Sequence, residues 1–167
     1  KELADECHRQ GIDIHFYYSH IDWWREDAPL GRTGLGTGRP KEAQNWDSYY
    51  TFMNNQLTEL LTNYGKIDIL WFDFSYDYEP DKTGVLALGK NAADWEAEKL
   101  IATARRLQPG IIIDNRTGIK QDLWTPEQYQ PTQWVRDAET GELVTWEACQ
   151  TFSGSWGYYR DETSWKS

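Results

Sequence analysis

The sequence predicts an α/β fold built on a parallel sheet, and three observations carry that prediction. Short apolar runs alternate with segments of helical period, and turn signals separate them. At 167 residues the chain is long enough for one domain with a real core. Polar and aromatic groups also gather directly after the apolar runs, where parallel α/β sheets place their sites.

The elements follow in order. Lys1–Gln10 reads as a helix closed by Gly11, and Ile12–Ser19 as a strand. Ala28–Pro40 reads as a loop rich in Gly, Pro and Arg. Its Gly34, Gly36 and Gly38 do not sit between a strand and a helix as a phosphate cradle requires. Trp46–Tyr64 carries Tyr49, Phe52, Met53, Leu57, Leu60 and Leu61 at helical spacing and ends at Gly65. Ile67–Phe72 is an apolar strand, and Tyr76–Asn91 a loop. Ala92–Leu107 reads as a helix with Trp95, Leu100, Ile101, Ala104 and Leu107 inward, stopped by Gln108-Pro109-Gly110. Ile111–Asn115 is a third strand and Leu143–Phe152 a fourth. The expected sheet has parallel strands near 12–18, 67–73, 111–115 and 143–150, with helices packed on one face.

Composition narrows the function. Lys plus Arg number 17 and Asp plus Glu 27, a net charge of −10, which argues against a nucleic-acid partner. Mean hydropathy is −0.80, and no run approaches the ~18 apolar residues of a membrane span. Ten Trp and ten Tyr suit sugars, whose C–H faces stack on rings while their hydroxyls seek hydrogen bonds. The same excess fits a chain that simply packs with large residues. Cys7 and Cys149 read as free thiols. His8, His15 and His20 show no zinc spacing, so neither a metal nor a cofactor is expected. His15 and His20 flank the first strand and read as one core and one loop residue.

The stretch "IDILWFDF", Ile67–Phe74, puts Asp73 directly after residues built for burial. Asp is depleted in strands and rarely buried without a partner, so Asp73 has either a capping role or chemistry to do. The first strand is followed by Ser19-His20-Ile21-Asp22-Trp23-Trp24. The third runs into Asp114-Asn115-Arg116, and the fourth carries Trp146-Glu147. Four decorated strand ends favour chemistry.

Five motifs, "FYYSHIDW" (Phe16–Trp23), "ILWFD" (Ile69–Asp73), "DNR" (Asp114–Arg116), "TPEQY" (Thr125–Tyr129) and "WEACQTFSGSWGYYRDE" (Trp146–Glu162), resemble in order and spacing those of the α-L-fucosidases of glycoside hydrolase family 29. The resemblance implies a retaining hydrolase acting on α-linked L-fucose, with Asp73 as nucleophile and Glu127 as general acid/base. It implies that Tyr17, Trp71 and Arg116 line the sugar pocket and that Trp156 packs on the fucose methyl group. Glu147 is expected to support the site. These residue types suit the chemistry, since a retaining glycosidase needs two carboxyl groups across the scissile bond. Arg116 would set a positive charge beside Asp73, and Trp124 and Tyr129 would partly desolvate Glu127.

The resemblance also implies a partial (β/α)8 barrel of the TIM type, residues 1–167 forming a single catalytic-domain fragment. A complete barrel takes ~250 residues and eight strands. The family's first barrel strands, which bring a pair of adjacent His, and its C-terminal β-sandwich find no counterpart among these residues. A half-barrel leaves sheet edges open to pairing, so a homo-oligomer that completes or covers the barrel is expected. Two other functions compete: a catalytically incomplete fucose-binding module, and a different glycosidase on a similar barrel.

Overall fold

Tyr49, Met53, Leu57 and Leu61 stand four residues apart, and all four are buried. This stripe defines the inner face of the longest helix, α2 (Trp46–Asn63). Asn45 caps it, its side chain accepting from the Ser48 amide at 3.1 Å. After Tyr64 the chain turns at Gly65, whose φ is +78° and where a Cβ would lie 2.6 Å from the His8 ring. No other residue fits both conditions. Truncating Leu57, which is 0% exposed, to Ala should cost about 2–5 kcal/mol of stability.

The computed structural model describes residues 1–29, 44–75, 79–80, 86–87 and 90–166. Gly34, Gly36 and Gly38, with most of the expected loops 28–40 and 76–91, lie outside the described residues. The chain divides into two compact units, Lys1–Asp122 and Leu123–Ser167.

The first unit holds a parallel sheet in the order β1 (His15–Ser19), β2 (Ile69–Asp73), β5 (Ile112–Ile113). Between the last two comes a small antiparallel pair, β3 (Glu79–Pro80) and β4 (Leu86–Ala87), inside what the sequence reads as loop. The helices α1 (Glu2–Gln10), α2 and α3 (Ala97–Leu107) complete the unit. Helix α3 starts five residues later than its periodicity predicts, because residues 92–96 form turns.

Side-chain carboxylates replace missing ladder partners, which is why two strands are shorter than expected. Asp68 accepts from the Ile14 amide at 2.9 Å, Asp114 from Phe72 at 3.0 Å, and Asp122 from Ile113 at 2.9 Å. Tyr18, Leu70, Phe72 and Ile113 form one buried cluster with the inner residues of α2 and α3. The helices therefore cover one face of the sheet, as expected.

The fourth strand is a correction. Residues 143–150 make no strand; they meet residues 124–128 only through isolated parallel bridges, Trp124 with Trp146 and Glu127 with Cys149. Both bridges share one register. Pro126 lies between them and has no amide hydrogen to donate, and Gln128 has φ +60°. A continuous ladder cannot form across that segment. Nearby, residues 135–144 form a hairpin turned by Asp137, whose carboxylate accepts from the amides of Glu139 and Thr140. Cys7 and Cys149 are half-buried. No helix among the described residues is long and apolar enough to cross a membrane.

Candidate active site

Strand period places the first three candidates. Along β2, Leu70 and Phe72 turn toward the helices with 0% exposure, so Trp71 and Asp73 point to the other face. Tyr18 of β1 is buried in the same way, and Tyr17 and Ser19 point away. In register, Tyr17 faces Trp71 and Ser19 faces Asp73. Tyr17, Trp71 and Asp73 thus share the face the helices leave uncovered, where Tyr17 is 56% exposed.

Arg116 joins them because β5 ends early. The chain leaves Ile113 through Asp114, forms a 3-10 turn over Asn115–Thr117, and closes at Gly118. Gly118 has φ +83°, and a Cβ there would sit 2.9 Å from Ser75 Oγ and 3.2 Å from the Ala92 backbone nitrogen. This turn sets the Arg116 guanidinium 4.8 Å above the Trp71 ring.

The four side chains close on one carboxylate. Tyr17 Oη donates to Asp73 Oδ2 at 2.8 Å, and Arg116 Nη1 donates to Asp73 Oδ1 at 3.2 Å. Tyr17 also stacks on Trp71, with ring centroids 5.5 Å apart and planes at 25°. Each carboxylate oxygen therefore has its own donor, one neutral and one cationic. The carboxylate is aimed, which a nucleophile requires.

The backbone beneath Asp73 is unusual. Phe74 has φ +68°, a left-handed conformation that costs a non-glycine residue on the order of 1 kcal/mol or more. Two buried side chains hold this bend. His20, 0% exposed, brings Nδ1 to 2.5 Å and its own amide nitrogen to 3.0 Å from the Asp73 carbonyl oxygen. Trp95 Nε1 donates to the Phe74 carbonyl at 3.0 Å. Burial pushes the His20 imidazole down to about 4, against the bonds and charge of Asp73, which pull the other way. Close by, burial also lowers Lys90 to about 8.

A cleft of about 530 Å³ opens along the free edge of β1, lined by Tyr17, Ser19, Asp22, Trp23 and Phe74 among others. Asp73 is not among its lining residues. The side chains of Asp73 and Arg116 are only 20% and 16% exposed, so the carboxylate is largely covered although it does not line this cleft.

The remaining candidates belong to the second unit. Glu127 is exposed beside Trp124 and Tyr129, whose rings meet edge to face at 6.0 Å. Glu147 accepts at 2.8 Å from the hydroxyl of Thr125, a residue only 4% exposed. Trp156 is exposed and lines a separate cavity of about 410 Å³ with Tyr158, Tyr159 and Trp165. Among the described residues no group of three or more His, Cys, Asp or Glu is placed to hold a metal.

The structure brings together Tyr17, Trp71, Asp73 and Arg116, which the family resemblance groups. The bonds of His20 and Trp95 to the Asp73 and Phe74 carbonyls, and Thr125 as partner of Glu147, carry no such signal. His15 is the exposed member of the histidine pair and His20 the buried one. A histidine placed directly after a strand was the available signal for His20.

Comparison with curated proteins returns no match. Among solved structures, α-L-fucosidase isoenzyme 1 from Paenibacillus thiaminolyticus superposes with a TM-score of 0.74 at 35% identity, over 99% of this chain and 40% of that one. α-L-Fucosidase AlfC from Lactobacillus casei, solved with α-L-fucose product, gives 0.64 at 24% identity, over 98% and 48%. A bacterial fucosidase solved with an inhibitor gives 0.65 at 24%, over 96% and 36%. The two more distant structures speak for the fold alone, and the chain spans less than half the length of each of the three. The profile of the family described as Alpha-L-fucosidase matches residues 1–167 without remainder, and on that match this chain belongs to the α-L-fucosidase family.

Proposed function

We propose that this chain carries the catalytic centre of a retaining glycoside hydrolase that releases α-linked L-fucose from fucosylated glycans or glycosides. The observation that carries the reading is the Asp73 carboxylate, held at a central strand end by Tyr17 and Arg116 on separate oxygens. In this reading a carboxylate oxygen of Asp73 attacks the anomeric carbon as the glycosidic C–O bond breaks. Glu127 gives its proton to the departing oxygen. Glu127 then takes a proton from water, whose oxygen attacks the same carbon and frees Asp73 and fucose. Glu147, bonded to Thr125, supports this acid; Trp71 and Tyr17 offer a stacked aromatic wall to the sugar, and Trp156 a further apolar face. Both units contribute to one catalytic domain, a partial (β/α)8 barrel, and the chemistry requires the two carboxyl groups about 5–5.5 Å apart. The position of β1 at the edge of the sheet among the described residues motivates a further part of the proposal, that a second copy of the chain pairs there.

Turnover of 4-nitrophenyl α-L-fucoside, run beside chromogens of other sugars, tests the reading. Release from the fucoside alone supports it. A second reading, a fucose-binding module without turnover, is favoured by the 56% exposure of Tyr17. Fucose binding in calorimetry with no hydrolysis would establish that second reading instead.

A further inference from the structure

We propose that His20, acting with Trp95, is the positioning device of the nucleophile: the two side chains fix the consecutive carbonyls of Asp73 and Phe74, and so fix the direction of the Asp73 carboxylate. The proposal rests on the reading of Asp73 as nucleophile.

A carbonyl oxygen can only accept, so His20 Nδ1 carries the hydrogen in its 2.5 Å bond to Asp73. The same oxygen takes the His20 amide at 3.0 Å. Two donors from one residue thus hold one peptide. The His20 ring is itself immobilised between Phe72 and Trp95, at centroid distances of 5.1 and 5.3 Å with 17° between planes on each side. Trp95 is 1% exposed and reaches the next carbonyl, that of Phe74, at 3.0 Å. The bond thus spans the residue whose φ is +68°. Release of either carbonyl would let this bend relax and swing the Cα of Asp73.

Filling space does not explain the choice of residue. Nε2 of His20 is buried with no hydrogen-bond partner among the described residues, so the site bears the cost of a desolvated polar atom. An aliphatic side chain would fill the same volume without it. What histidine adds is the Nδ1–H on the Asp73 carbonyl, while Tyr17 and Arg116 hold the other end of the same residue.

The test compares the full chain with His20→Phe, His20→Asn and Trp95→Phe in steady-state hydrolysis of 4-nitrophenyl α-L-fucoside. His20→Phe keeps a ring but loses the donor; His20→Asn restores a donor near the Nδ1 position. His20→Phe and Trp95→Phe should each lower kcat about 10- to 100-fold with KM little changed, and His20→Asn should recover most of the loss. A kcat for His20→Phe near that of the parent, a loss confined to KM, or no recovery in His20→Asn would overturn the proposal. Nitrogen NMR of the parent covers the case of a variant that does not fold. His20 should appear as the neutral Nδ1–H tautomer, and an Nε2–H tautomer would contradict the assignment. A parent chain without turnover sinks the hydrolase reading itself, whereas an active parent with an indifferent His20→Phe variant sinks only this proposal.

Discussion

Tyr17 and Asp73 are not register partners, yet the Tyr17 hydroxyl donates to the Asp73 carboxylate at 2.8 Å. The partner of Tyr17 is Trp71, and Asp73 faces Ser19. The long tyrosine side chain crosses the diagonal between adjacent parallel strands, a reach open to aromatic residues in any sheet. One side chain therefore stacks on Trp71 and orients the acid two positions further on.

Tyr17→Phe keeps the stack and removes the donor. A hydrogen bond to a charged group is worth about 1.5–3 kcal/mol, so kcat/KM should fall about 10- to 100-fold with little change in melting temperature. Steady-state kinetics and a thermal melt check both parts. An equal loss in Tyr17→Leu and Tyr17→Phe would confirm that the hydroxyl, not the ring, matters.

Arg116 holds Asp73 and lies over Trp71 at once. Arg116→Lys keeps the charge but loses the planar stack, and should recover only part of what Arg116→Ala loses in kcat/KM. Gly118→Ala should imitate the alanine variant, because the turn carrying Arg116 has no room for a Cβ.

Asp114 takes the amide hydrogen of Phe72 in a fully buried position. Asp114→Leu leaves that donor unpaired and should cost about 1–3 kcal/mol in urea unfolding, whereas Asp114→Asn keeps an acceptor and should cost less.

His20 makes stability depend on pH. Its ordinary value of 6.5 falls to about 4 in the folded chain, so between these values the unfolded chain binds a proton that the folded chain refuses. Stability is therefore complete above about pH 6.5 and declines as pH falls toward 4, by on the order of 3 kcal/mol in all. Asp73 opposes the shift, and the rings stacked on either side of the imidazole, Phe72 and Trp95, carry no charge. Urea titrations at pH 7.5 and 4.5 should differ more for the parent than for His20→Asn.

The sheet and α2 were legible because their signals are local: a period of two or 3.6 bounded by turn residues. The four-residue spacing of Tyr49, Met53, Leu57 and Leu61 shows the buried face without any tertiary information. The apolar run at 143–150 misled because strand formation needs a partner with donors in register, and Pro126, seventeen residues earlier in the chain, lacks one. The grouping of Tyr17, Trp71, Asp73 and Arg116 rests on the family motifs; strand ends alone mark Asp73 and Arg116, since parallel strands bring their carboxyl ends together. The hold of His20 and Trp95 on the end of β2 was not legible. It depends on ring stacking and on bonds between residues as far as 53 positions apart, which leave no periodic trace.

The central claim is that Asp73 forms the bond to the sugar. The most direct measurement is turnover of 4-nitrophenyl α-L-fucoside by Asp73→Gly, with and without azide. Hydrolysis should be lost, and azide, entering the space of the missing carboxylate, should restore release of nitrophenol and yield the β-fucosyl azide. Hydrolysis by Asp73→Gly at the rate of the parent chain, with no azide adduct formed, would contradict the claim.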